Sequence, residues 1–182
     1  MSNIEYYENV DLPEIPAHLV ASLDDIVARE NLFKGGPGVT AEMYAAYACD
    51  TELVDYIQCN FDFPIIAQYQ LVRSDLKIHI DRGNLFKYTY YVTLGGPNAQ
   101  TLWHSADVAT SRQNPEIIVD RLPGEKNKWY KIRVDYPHSV GGITEPRLSI
   151  CVTDAETKKA YRKSAIETHP WRSRNISSGP YE

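Results

Sequence analysis

A mainly β protein, a jelly roll preceded by helices, is the fold that the sequence predicts, and three observations predict it. From Phe63 onward, short runs rich in β-branched and aromatic residues recur, with Gly, Pro, Asn and Asp between them. Before Phe63 the apolar residues fall at helical spacing instead. The chain of 182 residues, 43 % of them hydrophobic, suits one domain with a sizeable core. The expected division is a helical N-terminal region over 1–62 packing on the sheet, a jelly-roll core over 63–153 and a polar C-terminal tail over 154–182.

The first element is an amphipathic helix between Pro16 and Asn31, with Leu19, Leu23, Ile26 and Val27 on one face and Ser22 or Asp24 near its start. Gly35-Gly36-Pro37-Gly38 then breaks the chain. Thr40 is placed to cap a helix through Tyr47, and Asp50 another to about Cys59. The strand runs are Ile65 to Val72, Lys77 to Ile80, Phe86 to Leu94, Gln100 to Trp103, Glu116 to Val119, Lys128 to Val134 and Arg147 to Val152. Gly95-Gly96-Pro97-Asn98 reads as a turn. Such a series makes a β-sandwich or jelly roll with helices on one outer face. Ala155 to Glu182 predicts a short helix and a frayed tail, its Lys158, Lys159, Arg162 and Lys163 forming a solvated face.

A formal charge of -5 argues against a general phosphate-binding surface, because nucleic-acid affinity is carried by Lys and Arg neutralising phosphates. Cys49, Cys59 and Cys151 are odd in number and lack metal-site spacing, so buried free thiols are expected. The first residues carry no basic segment followed by an apolar one, and no run is long enough to span a membrane. A soluble, cytoplasmic protein is the expectation.

His79 and Asp81 lie two apart at the end of a predicted strand, where alternation points both side chains the same way. His138 follows another predicted strand. If those strands are neighbours, the three donors occupy one side of a metal ion and leave three positions open. Two imidazoles and one carboxylate are the set associated with oxygen-activating non-haem iron(II), whereas structural zinc closes its shell with four protein ligands. Arg147 and Ser149 share a face of the last strand, and Pro146 helps fix the start of that extended segment. Arginine's planar fork matches a carboxylate and serine adds a hydroxyl. The ligand implied is a metal chelator with a distant carboxylate.

His104 follows Asp81 too closely to be the third ligand, so a structural or substrate-facing role is expected. Arg-x-Ser recurs at Arg162 and Ser164, in the polar tail with no strand signal. His18 and His169 read as solvated, and Trp103, Trp129 and most tyrosines as packing residues.

In the spacing of His79-x-Asp81, His138 and Arg147-x-Ser149, the stretch from Phe63 to Thr153 resembles the iron(II)- and 2-oxoglutarate-dependent oxygenases, closest to their prolyl-hydroxylase-like branch. Tyr69, Tyr90 and the Gly95-Gly96 pair match further places in that branch. The resemblance implies a double-stranded β-helix. It also implies iron on His79, Asp81 and His138, and the C5 carboxylate of 2-oxoglutarate on Arg147, with Ser149 and Tyr69 or Tyr90. The reaction implied hydroxylates a substrate with O2 while 2-oxoglutarate becomes succinate and CO2. Candidate substrates are a peptide or protein side chain, a small metabolite and, least favoured by the acidic chain, an alkylated base. The alternatives are a cupin-type non-oxidative metalloprotein, in which Arg147-Leu148-Ser149 has no purpose, and a non-catalytic jelly-roll binding or structural protein.

Overall fold

Ten strands make two antiparallel sheets in the structure, a computed structural model that describes residues 5–33, 39–81, 83–105 and 108–160. The strands are β1 (Tyr7–Asn9), β2 (Tyr44–Ala48), β3 (Ile65–Val72), β4 (Leu76–His79), β5 (Phe86–Tyr91), β6 (Gln100–His104), β7 (Ile118–Leu122), β8 (Trp129–Arg133), β9 (His138–Gly141) and β10 (Arg147–Asp154). The larger sheet runs β1-β8-β5-β10-β3-β2 and the smaller β4-β9-β6-β7. From β3 to β10 the chain passes repeatedly between the sheets, and its first and last strands end side by side over eight paired residues, Arg147 opposite Val72 to Asp154 opposite Ile65. That winding is a jelly roll, the double-stranded β-helix.

Both faces of the larger sheet are covered, and the two differ in chemistry. Tyr69, Leu71, Tyr90, Leu148, Ile150 and Val152 belong to one apolar cluster with Ile26, Leu53 and Ile57 of the helices. Those helices, α1 (Leu23–Val27) and α2 (Thr51–Gln58), cover the outer face. The alternate residues Gln68, Gln70, Ser149, Cys151 and Thr153 therefore face inward. A second apolar cluster, Tyr91, Trp103, Leu122, Tyr130, Ile132 and Val134, fills one side of the space between the sheets. Trp103 and Trp129 are packing residues, as expected, and each donates its indole N–H to a backbone carbonyl, of Arg133 and Pro13 respectively.

The N-terminal region departs from its helical expectation. Between Pro16 and Asn31 the chain makes only a 3-10 turn, Ala17–Leu19, and α1, because Val20 and Ser22 take extended backbone. Ser22 caps α1 by accepting from Asp25 N. The helix expected from Thr40 to Tyr47 is replaced by the strand β2, which pairs with β3 from Tyr44 opposite Val72 to Ala48 opposite Gln68. The tertiary pairing overrides alanine's helical preference there. Tyr7–Asn9 also pairs with β8, as β1, and forms the edge of the larger sheet. α2 spans its expected residues, but Asp50 gives its carboxylate to Arg29, 2.6 Å away, rather than to the helix end. The helix α3 (Val108–Gln113) and the four-residue strand β9 carry no clear sequence pattern.

Gly95 and Gly96 turn the chain between β5 and β6 with φ of +89° and +112°. A Cβ on Gly95 would come within 2.7 Å of the Arg147 Cβ. Of the cysteines, Cys151 is buried, Cys49 half-buried and Cys59 exposed, so the expectation of three buried thiols holds for one. Residues 155–160 are helical. The rest of the expected tail, with Arg162, Lys163, Ser164 and His169, lies outside the described residues. No helix among the described residues is long and apolar enough to cross a membrane.

Candidate metal centre

β4 and β9 are antiparallel neighbours, with His79 directly opposite His138. The imidazole of each turns its Nδ1 back to its own chain, 2.7 Å from Lys77 O for His79 and 2.8 Å from Tyr136 O for His138. A carbonyl only accepts, so each Nδ1 carries a proton, and in the neutral ring the Nε2 then keeps its lone pair for a metal. The chain crosses over after β4 with Asp81 N donating to Val134 O at 3.0 Å. That bond brings the Asp81 Oδ1 to 3.5 Å from His79 Nε2. One ligating atom from each of His79, Asp81 and His138 lies within 4.8 Å of the others. The three expected ligands are thus brought together as a cluster that could hold a metal ion.

The other carboxylate oxygen of Asp81 is 2.6 Å from Lys87 Nζ, and the Lys87 side chain is only 13 % exposed. Sequence reasoning missed Lys87. The available signal was parity, since on β5 Lys87 alternates with Tyr88 and Tyr90. Burial alone would raise Asp81, but the Lys87 charge 2.6 Å away holds it well below the usual carboxylate range. Burial likewise opposes a charged Lys87, and the Asp81 carboxylate overrides it and raises the ammonium. Burial pushes His138 down to about 4. At neutral pH the carboxylate is therefore ionised and His138 neutral, the protonation states that a divalent metal requires.

The remaining candidates separate. Arg147 is buried on the inner face, with its Nη2 3.3 Å from Thr101 Oγ1 and its guanidinium carbon 4.4 Å from the centroid of the Tyr91 ring. Its Nη1 is buried and has no hydrogen-bond partner among the described residues. Ser149 is the next inward residue of β10, its hydroxyl 3.7 Å from Cys151 Sγ. Tyr69 and Tyr90, expected at the 2-oxoglutarate carboxylate, are not brought to this side. They sit on the outer parity of their strands, where the Tyr69 hydroxyl accepts from Ala21 N at 2.9 Å and Tyr90 packs on Trp129 with ring centroids 5.2 Å apart. Inward tyrosines near these groups include Tyr91, beneath Arg147, and Tyr44. His104, on the opposite parity from Trp103, bonds Ser139 Oγ at 3.0 Å and stands outside the cluster. His18 is exposed.

Beside Asp81 opens a cavity of ≈ 190 Å³, whose walls include Tyr44, Gln68, Gln70, Lys87, Cys151 and Thr153. Neither Arg147 nor Ser149 lines it.

No protein-family profile and no curated protein matches the chain. Solved structures similar to it include a mutant of the oxalate decarboxylase of Bacillus subtilis, with a TM-score of 0.41 and 13 % identity over 71 % of this chain and 28 % of that one. The structure of the same enzyme at pH 4.6 gives the same TM-score, 0.41, and the same identity, 13 %, over the same shares, 71 % and 28 %. The chain spans under a third of the length of these neighbours. Strand order and register, rather than this likeness, define the fold.

Proposed function

We propose that the protein is a non-haem iron(II) oxygenase that uses 2-oxoglutarate as co-substrate. The observation that carries the reading is the combination, on the inner side of one jelly roll, of a three-ligand cluster with open sides and a buried guanidinium whose Nη1 lacks a partner. The donor set fits iron(II): two imidazole Nε2 atoms and one ionised carboxylate, each fixed from behind by a carbonyl or by Lys87. The unsatisfied Nη1 fits an anion, because a buried donor without an acceptor is costly and a carboxylate would complete it.

In this reading His79, Asp81 and His138 hold the metal, and Lys87 holds the second Asp81 oxygen so that a single oxygen faces it. Arg147 binds the distal carboxylate of 2-oxoglutarate, with Thr101 and the Tyr91 ring fixing the guanidinium plane and Ser149 beside it. Bound iron would supply the oxygen chemistry, in which one atom of O2 ends in succinate and the other in a substrate C–H bond made C–OH, with CO2 released.

A non-oxidative metalloprotein of the cupin type is the second reading. It is favoured by the contacts that Arg147 already makes with Thr101 and Tyr91, which give the arginine a purely structural duty. Anaerobic addition of iron(II) and 2-oxoglutarate separates the two readings. A visible metal-to-ligand charge-transfer band is expected. It should vanish in His138→Ala and persist in His104→Ala, while Arg147→Ala should raise the 2-oxoglutarate needed and leave iron binding intact. Iron binding without the band would favour the second reading, and loss of the band in His104→Ala alone would mean a different third ligand.

A further inference from the structure

A jelly-roll interior is ordinarily filled by apolar side chains, and on one side of this one it is, around Trp103. The other side is polar. β3 sends Gln68 and Gln70 inward, β10 sends Cys151 and Thr153, β5 sends Lys87 and β2 sends Tyr44, and together they enclose the cavity beside Asp81. These groups are only partly used within the protein. Gln70 Oε1 accepts from Cys151 Sγ at 3.1 Å, which leaves its amide N–H groups unspent. An ammonium has three N–H donors, and Lys87 spends one on Asp81. The cavity walls also include Asn84 and Lys158. The charged groups lining it are Asp81, Lys87 and Lys158, and Lys87 keeps two N–H donors beyond the one it gives Asp81.

Size narrows the occupant. A cavity of about 150 Å³ holds one benzene ring, so the ≈ 190 Å³ here has room for a group of amino-acid size. Chemistry narrows it again, because an apolar guest would strand the amide and ammonium donors at a cost of about 1–3 kcal/mol each.

We propose that this cavity is the primary-substrate pocket and that the substrate is a small hydrophilic acid of amino-acid size, its carboxylate held by Lys87 and its polar groups by Gln68 and Gln70. The proposal rests on the oxygenase reading, and it assigns the two anion sites to different molecules. Arg147 takes the co-substrate, and the Lys87 cavity, which Arg147 does not line, takes the substrate next to the metal.

The test uses the full chain loaded with Mn(II), whose binding is read independently by loss of the free-ion EPR signal. A mixture of serine, threonine, asparagine and glutamine is added with saturating 2-oxoglutarate, and proton relaxation is followed for each compound, with indole as an apolar control. Enhanced relaxation of one or more of the amino acids, and none for indole, is expected. Gln70→Leu, and independently Gln68→Leu, should weaken that binding about tenfold, the loss of a hydrogen bond to a charged or strongly polar group, while Mn(II) and 2-oxoglutarate still bind. Arg147→Leu should weaken 2-oxoglutarate and spare the amino acid. Mn(II) binding with no amino-acid enhancement, or an amino acid that 2-oxoglutarate displaces, would overturn the pocket assignment and leave the oxygenase reading standing. Failure to bind Mn(II) at all would overturn both.

Discussion

A histidine that binds a metal must keep its ligating nitrogen unprotonated, and in this protein the backbone arranges that twice. His79 and His138 each hand the Nδ1 proton to a carbonyl two residues earlier in the chain, so the lone pair is forced to Nε2. His138 is also buried, and burial sets its pKa near 4 against an ordinary 6.5. The folded-state value is depressed, so on acidification the unfolded chain takes up the proton first. The contribution of His138 is therefore fully present above pH 6.5 and is lost as the pH falls toward 4, by up to about 3 kcal/mol. Asp81, also depressed, adds its own loss at still lower pH. Urea unfolding midpoints of the metal-free protein should fall between pH 7 and pH 4.5, and the fall should be shallower in His138→Gln. Equal slopes in the two proteins would refute the assignment.

Among the elements, β3 and β10 decide most, because each presents an apolar face to the helices and a polar face to the interior. Tyr69 belongs to the first face. Its hydroxyl satisfies Ala21 N, so Tyr69→Phe should destabilise the protein by about 1 kcal/mol through an orphaned N–H and leave 2-oxoglutarate affinity unchanged. A fall in that affinity, measured by calorimetry, would return Tyr69 to the site. The strands from Ile65 onward were legible because β-branched and aromatic runs between turn residues leave few other folds. The direction of their faces was harder to read. With both faces of the larger sheet covered, burial does not mark one of them as solvent, and the inner face is the more polar one. The usual inference from apolar to inward therefore fails at Tyr69 and Tyr90. β2 was misread for a different reason: Ala45, Ala46 and Ala48 favour a helix locally, and only the neighbouring β3 makes the strand.

For the whole molecule, the winding of the chain makes neighbours of groups far apart in sequence. His79 closes β4, His138 opens β9, and only the alternation between sheets brings them opposite each other. The three candidate ligands were legible as residue types at a characteristic spacing. Lys87 was not, because its partnership with Asp81 depends on how the chain returns from β4 to β5. A metal bound there would join the ends of two strands and the segment after β4. Binding at a hundredfold excess over Kd should add about 2.7 kcal/mol to stability. For a chain of this size that is a rise of about 5–10 °C in Tm. Scanning calorimetry with Mn(II) and then with a chelator should show the rise and its reversal, and an unchanged Tm would argue against a metal joining those elements.

One turn braces the start of β10, where Arg147 sits. A Cβ on Gly95 would meet the Arg147 Cβ and the Ile143 side chain, each at 2.7 Å, so the turn packs directly against the start of β10. Main chain cannot be trimmed or lengthened by a single substitution as a side chain can. With the backbone braced there, and the guanidinium held by Thr101 and the Tyr91 ring, the span from Arg147 to the His–Asp–His cluster would set the length of diacid accepted in the proposed reading. If the proposed reading holds, a diacid one carbon shorter or longer than 2-oxoglutarate should bind more weakly, because it would not reach both the metal cluster and Arg147.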